Sequence, residues 1–154
     1  MRATIFALKR ADQATRKAMD VGLMPYDLTS AQLDILLYLD VRGASAQRDL
    51  QVALGITSAT LTRVLDGMEA RGFVVRQPSG SDARVKCVEM TARGCAVLEA
   101  LHEREEAAFL ARFAAGFSAG ELATLTGWLR RIAVNMGDTS EHIFGYGAQI
   151  PGKE

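Results

Sequence analysis

Few side chains in this sequence could carry covalent or metal chemistry. Cys87 and Cys95 stand eight residues apart with no third cysteine, and the two histidines, His102 and His142, lie far from each other. Neither a disulfide framework nor a zinc quartet can be assembled from them. No Ser-His-Asp set, paired carboxylates or phosphate-cradling glycine loop is discernible, so no catalysis, cofactor or metal is expected. The chemistry that remains is recognition by hydrogen bonds and charge. It concentrates in two stretches, "TSATLTRV" from Thr57 and "PSGSDARVKCVEMT" from Pro78. The first carries hydroxyls and one guanidinium, and the second runs a turn-forming tip into a lone Arg84.

Something must position these groups, and the apolar periodicity says what. Ile5, Leu8, Thr15 and Met19 with interleaved alanines keep one helical stripe until Gly22 and Pro25 stop it. Thr29 and Gln32 have capping-box spacing ahead of a helix whose Leu33, Leu36, Leu37 and Leu39 face inward up to Gly43. Ser45 is then expected to cap a short helix, SAQRDLQVAL, with Leu50, Ala53 and Leu54 inside and Gly55 supplying the tight turn. Thr57 is a fitting N-cap for the helix after it, where Leu61, Val64, Leu65 and Met68 form one face and Gly72 closes the end. Two short helices joined by a Gly-containing turn are the sequence pattern of a helix-turn-helix, whose second helix enters the major groove.

Stepping about 100° per residue from Leu61 places Ala59, Thr62, Arg63 and Asp66 on the opposite side of that helix, flanked by Ser58 and Thr60. Small hydroxyls permit close approach, free N–H groups at the helix start suit phosphate oxygens, and Arg63 can pair bidentately with guanine. Phe73, Val74 and Val75 then form a short strand, and the segment from Val85 to Met90 alternates, with Val88 and Met90 sharing a face with the stem of Lys86. Such a hairpin projects its tip toward the adjoining minor groove, where an arginine is drawn by concentrated negative potential. Asp82 is placed to hold the fork of Arg84.

Charge distribution agrees with a nucleic-acid partner even though the whole chain, with 18 basic and 18 acidic residues, is neutral. From Arg42 to Arg93 eight basic residues face five acidic ones, net plus three, whereas the segment from Gly94 onward carries five against eight, net minus three. No apolar run approaches the roughly 18 residues a membrane span needs, and the charges in MRATIFALKRADQATRK are too closely spaced for a signal segment. No membrane partner is expected, and the sparse cysteines fit a reducing cytoplasm.

These stretches resemble the MarR family of bacterial winged-helix transcriptional regulators. The resemblance is carried by "LTSAQLDILLYL", by "SAQRDLQVALGITSATLTRVLDGMEARGFVVR" and above all by "SDARVKCVEMTARG". The last looks like the family's Asp-x-Arg wing followed by Leu-Thr-x-x-Gly, with Met90 in place of the leucine. Ser79, Gly80 and Ser81 depart from the more basic wing tip usual there. The resemblance implies that Ser58, Ala59, Thr60, Thr62 and Arg63 lie on a recognition helix and that Asp82, Arg84 and Lys86 belong to the wing contact. The fold expected is mainly α with a small β-wing: a winged helix-turn-helix over residues 27–91, and a helical dimerisation region formed by 1–26 and 92–137. An irregular tail covers 138–154.

The flanking helices supply the reason for a dimer. The run from Ala92 to Phe113 reads as one long helix behind a Thr91 cap, with Val97, Leu98, Leu101, Phe109, Leu110 and Phe113 on its apolar side. Ser118 and Glu121 form a second capping box, and Leu122, Leu125, Leu129, Ile132 and Met136 then recur at a/d spacing beside Trp128. Such a seam can close an internal core or pair with a second copy. With Ile5 and Leu8 it is assigned to a homodimer interface, which the resemblance also implies. Two-fold symmetry would set the recognition helices about 34–36 Å apart, facing half-sites of a pseudo-palindrome in double-stranded DNA.

The resemblance further implies a repressor released by a small aromatic or anionic effector between the dimer helices and the winged domain. Arg10, Arg16 and Tyr38 are the polar candidates for such a crevice, with Met19 and Met68 as adaptable walls. Redox input through Cys87 or Cys95 is an alternative, although a strand cysteine and a helix cysteine are more simply structural. A winged helix that binds protein instead of DNA is another alternative; salt-insensitive binding would distinguish it.

Overall fold

The computed structural model describes residues 1–78 and 86–138. Helix α1 (Arg2–Leu23) passes through a 3-10 turn (Met24–Tyr26) into α2 (Ser30–Arg42). There follow β1 (Ser45–Ala46), α3 (Gln47–Leu54), α4 (Ser58–Ala70), β2 (Val74–Pro78) and β3 (Lys86–Met90). The last elements are α5 (Ala92–Leu101), a π-helical turn (His102–Glu106), α6 (Ala107–Ala114) and α7 (Ala119–Asn135). The architecture is the expected one, mainly helical with a small wing sheet.

Local signals account for most helix starts. Gln32 N–H donates to Thr29 Oγ1 at 3.4 Å while Thr29 N–H donates to Gln32 Oε1 at 3.0 Å, closing the capping box of α2. Ser118 and Glu121 do the same for α7. The start of α2 has a further tie, because Ser30 N–H donates to Asp20 Oδ1 of α1 at 2.7 Å. Gly55 takes the left-handed conformation (φ 61°) that ends α3 and lets α4 begin three residues later.

Three expectations are corrected. Ser45 does not cap α3: it opposes Val88 in β1, the third strand of an antiparallel sheet of order β1-β3-β2, and Ala46 occupies the cap position. Pairing with β3 draws Ser45 into the sheet, and α3 starts without a side-chain cap. The strand expected over residues 73–75 runs instead from Val74 to Pro78, with Arg76 opposite Val88 and Pro78 opposite Lys86. Proline is tolerated because β2 is an edge strand. The long helix expected from Ala92 to Phe113 is broken in register by the π-helical turn. One extra residue in that turn rotates everything after it by about 100°. Leu98 and Leu101 therefore lie in the core while Leu110 and Phe113 are each 50% exposed.

The core is one cluster centred on Ile35, Leu36, Leu50, Leu61, Leu65, Met68, Val74 and Val88, and it takes in Leu23 of α1 and Leu98 and Leu101 of α5. By contrast α7 makes at most slight contact with other elements. Trp128 (55% exposed), Leu129, Ile132 and Met136 are open to solvent, as are Ile5 and Leu8 of α1, while Leu122 and Leu125 are partly covered.

The Thr91-x-x-Gly94 motif has a direct steric cause. Thr91 Oγ1 accepts from Gly94 N–H at 3.2 Å, capping α5, and donates to the Gly72 carbonyl at 2.5 Å. This draws α5 so tightly onto the turn before β2 that a Cβ on Gly94 would sit 2.6 Å from Met90 Cγ and closer still to the Phe73 carbonyl oxygen. The backbone oxygen cannot move aside without disturbing the wing. Gly94→Ala is expected to destabilise the fold by about 1–3 kcal/mol through overpacking. Urea unfolding should show a lower midpoint at an unchanged slope.

Candidate nucleic-acid interface

Helices α3 and α4 with the Gly55–Thr57 turn form the helix-turn-helix. Thr57 caps α4, its Oγ1 accepting from Thr60 N–H at 3.2 Å. Leu61, Leu65 and Met68 are at most 2% exposed. That burial anchors the helix at about 1.5–3 kcal/mol per side chain. Ser58, Ala59, Thr60, Thr62 and Arg63 are all exposed on the other side, and Arg63 has no ion-pair partner among the described residues. A helix so placed presents free N–H groups, small hydroxyls and one guanidinium to whatever approaches.

The wing is fastened to this helix by a charge cluster that spacing alone does not reveal. Arg76 of β2 reaches back to α4, its Nη2 lying 2.6 Å from Asp66 Oδ1 and 2.5 Å from Glu69 Oε2. The Arg76 backbone N–H also donates to Glu69 Oε1 at 3.0 Å, so both oxygens of one carboxylate hold one strand residue. Hydrogen bonds from Arg76 keep the Glu69 carboxyl below its ordinary range, and the same bonds raise Arg76 above its own. Asp66, on the outward side of α4, thus shares the Arg76 guanidinium with Glu69. Lys86 is exposed at the start of β3, opposite Pro78. Asp82 and Arg84 lie outside the described residues.

A cavity of about 420 Å³ opens between the C-terminal half of α1, α2, α5, the π-helical turn and α6. Its walls are mostly apolar, with Met19, Leu23, Leu37, Leu101 and Phe109 among them. His102, Glu106 and Arg112 supply the ionisable side chains. Of the five effector candidates only Met19 lines it. Arg10 is exposed on α1, and Arg16 pairs with Asp12 at 3.1 Å. Burial pushes the Asp34 carboxyl of α2 up, partly offset by the nearby charge of Arg16. Tyr38 is buried and Met68 has no exposure at all, both belonging to the core cluster, so Met68 cannot serve as a wall of this cavity. The three ionisable groups were not legible because the π-helical turn that aims His102 and Glu106 breaks the helical period.

Cys87 is half-buried in β3 and Cys95 is exposed on α5, both as free thiols. Among the described residues no cluster of His, Cys, Asp and Glu could hold a metal ion, and no helix is long and apolar enough to cross a membrane.

A buried-then-bare helix beside a three-stranded wing defines a winged helix-turn-helix of the DNA-binding transcriptional regulator class. The model of the MarR family matches residues 26–85. The multiple antibiotic resistance protein MarR of Salmonella typhimurium is 30% identical over 121 residues, covering 79% of this chain and 84% of that protein. This chain belongs to the MarR family. Among solved structures, a cysteine-to-serine mutant of MarR from Escherichia coli complexed with operator DNA superposes with a TM-score of 0.78 at 26% identity, over 82% of this chain and 90% of that one. BpsR of Bordetella bronchiseptica, solved in connection with regulation of its DNA binding by 6-hydroxynicotinic acid, shares the fold at 24% identity. Its TM-score is 0.76, over 85% of this chain and 98% of that one.

The wing tie carries a pH signature. A carboxyl held below its unfolded value contributes stability above that value and loses it as pH falls toward the folded one. Glu69→Gln is therefore expected to be less stable than wild type at neutral pH. As pH falls below about 4.3, the ordinary value for glutamate, the two proteins should converge. Chemical denaturation between pH 7 and 3 measures both curves.

Proposed function

We propose that this protein is a homodimeric repressor that binds a pseudo-palindromic duplex in the cytoplasm and releases it when a small molecule enters the cavity beside α1. The observation that carries the DNA reading is the two-sidedness of α4, inaccessible along Leu61, Leu65 and Met68 and bare along Ser58, Ala59, Thr60, Thr62 and Arg63. In this reading Arg63 reads a base edge in the major groove, the hydroxyls and helix start meet phosphate, and Lys86 with Asp82 and Arg84 forms the wing contact. The E. coli relative solved with operator DNA supports the same use of this fold.

The second copy is supported by the apolar surface on the flanking helices. Ile5, Leu8, Leu129, Ile132 and Met136 are exposed, and with Leu122 and Leu125 they form the proposed interface between residues 1–26 and 92–137 of the two copies. An exposed seam of this length on one helix is far from what a monomer ordinarily leaves in water. Pairing would also place two α4 helices on one face of the duplex.

For the effector, an apolar cavity of this volume with a few ionisable groups suits a small aromatic molecule carrying an anionic head. Arg112 and His102 are the groups that would meet that head, and Met19 and Phe109 the walls that would meet the ring. The BpsR structure, concerned with 6-hydroxynicotinic acid, supports ligand control within this fold.

Two experiments test the reading. In binding assays across a salt series, Arg63→Ala is expected to relax base preference at one position at a cost of about 1–3 kcal/mol. Arg84→Ala should weaken all sequences alike and flatten the salt slope by about one. Equal affinities of wild type and both variants would remove DNA as the partner. Ile132→Asp, which puts charge into the apolar seam, should yield a folded monomer by light scattering with much weaker DNA binding; a dimer of unchanged affinity would exclude this interface.

A further inference from the structure

One side chain, Arg71, ties the end of α4 to the turn that follows α1. Arg71 follows the last residue of α4, and its Nε donates to the Gly67 carbonyl in the last turn of that helix at 3.1 Å. Its Nη1 donates to the Asp27 carbonyl and, at 3.0 Å, to Asp27 Oδ2. The guanidinium carbon lies over the Phe73 ring, 5.2 Å from its centroid. Asp27 ends the 3-10 turn that follows α1, in a left-handed conformation (φ 54°) uncommon for a residue with a side chain.

That turn is short and internally bonded. Asp27 N–H donates to the Met24 carbonyl at 3.1 Å and Leu28 N–H to the Leu23 carbonyl at 3.3 Å. Leu23 is buried and lines the cavity together with Met19 and Gly22. Those two bonds tie Asp27 and Leu28 back to the end of α1 across the turn.

We infer that Arg71 is a positioning residue through which occupancy of the cavity is transmitted to the α4 recognition helix. The inference rests on the operator-binding reading above and adds to it the path of control. The fork of a guanidinium is planar and can span two fixed backbone carbonyls at once, one on each side of the junction. An ammonium keeps the charge but is a single point, so it cannot hold both carbonyls in register. Charge is not the source of the effect: Asp27 is largely exposed, and an exposed ion pair contributes little. The geometry between the two carbonyls is what transmits.

The test uses the full-length protein and needs no identified ligand. A duplex selected by the wild-type protein from a random-sequence pool serves as DNA, and Ala18→Phe, which projects a ring from α1 into the cavity, stands in for the ligand. Ala18→Leu provides a milder filler should the larger one fail to fold. The filler is expected to weaken affinity by about fivefold or more in the wild-type background. In the Arg71→Lys background it should produce no further change. Amide hydrogen exchange over Gly67 to Gly72, measured without DNA, should accelerate on filling only when Arg71 is present. An equal effect of the filler in both backgrounds overturns the link, as does a filler with no effect on wild type. If wild type selects no duplex, the operator reading fails, and the exchange measurement alone decides the link.

Discussion

A recognition helix must be rigid on one side and unoccupied on the other, and the elements packed around α4 serve that requirement. Hydrophobic burial of Leu61, Leu65 and Met68 places α4 but is non-directional and would tolerate rotation about its own axis. Directional contacts supply what burial lacks. Thr57 holds the N-terminus, Arg71 the C-terminus, and Arg76 ties the flank to the wing strand through Asp66 and Glu69. With those contacts made, Ser58, Ala59, Thr62 and Arg63 remain exposed on the outward face.

This division also changes how the charge of the winged region is understood. Eight basic residues between Arg42 and Arg93 suggest a general attraction for phosphate. Arg71 and Arg76 are committed within the protein, and Arg93 lies 5.2 Å from the Phe73 ring that Arg71 also approaches. Fewer cations are left for phosphate than the sequence count implies. In the homodimer proposed above, two half-sites would double the phosphate contacts without adding charge to either protomer.

The cavity sits where the winged core and the flanking helices share residues. Leu23, Leu98 and Leu101 belong to the same core cluster as the reader, so α1 and α5 are not appendages hung on a finished domain. The π-helical turn divides α5, packed on α2 and β3, from α6, whose Leu110 and Phe113 are half-exposed. A break in helical register at the rim of an apolar cavity gives one segment two tasks, burial on one side and surface on the other.

Elements whose cause lies within four residues were legible in the chain itself: the capping boxes at Thr29 and Ser118, the caps at Thr57 and Thr91, the Gly55 turn, and the outward residues of α4. Each depends on local geometry that any helix repeats, and so composition and spacing determined the winged fold and its polar face. Ser45 in a strand, the π-helical turn, the Arg76 cluster, the Arg71 bridge and the lining of the cavity depend on partners brought from elsewhere in the chain. Only packing decided those, because a hydrogen bond between residues 44 positions apart leaves no periodic trace in the sequence that forms it.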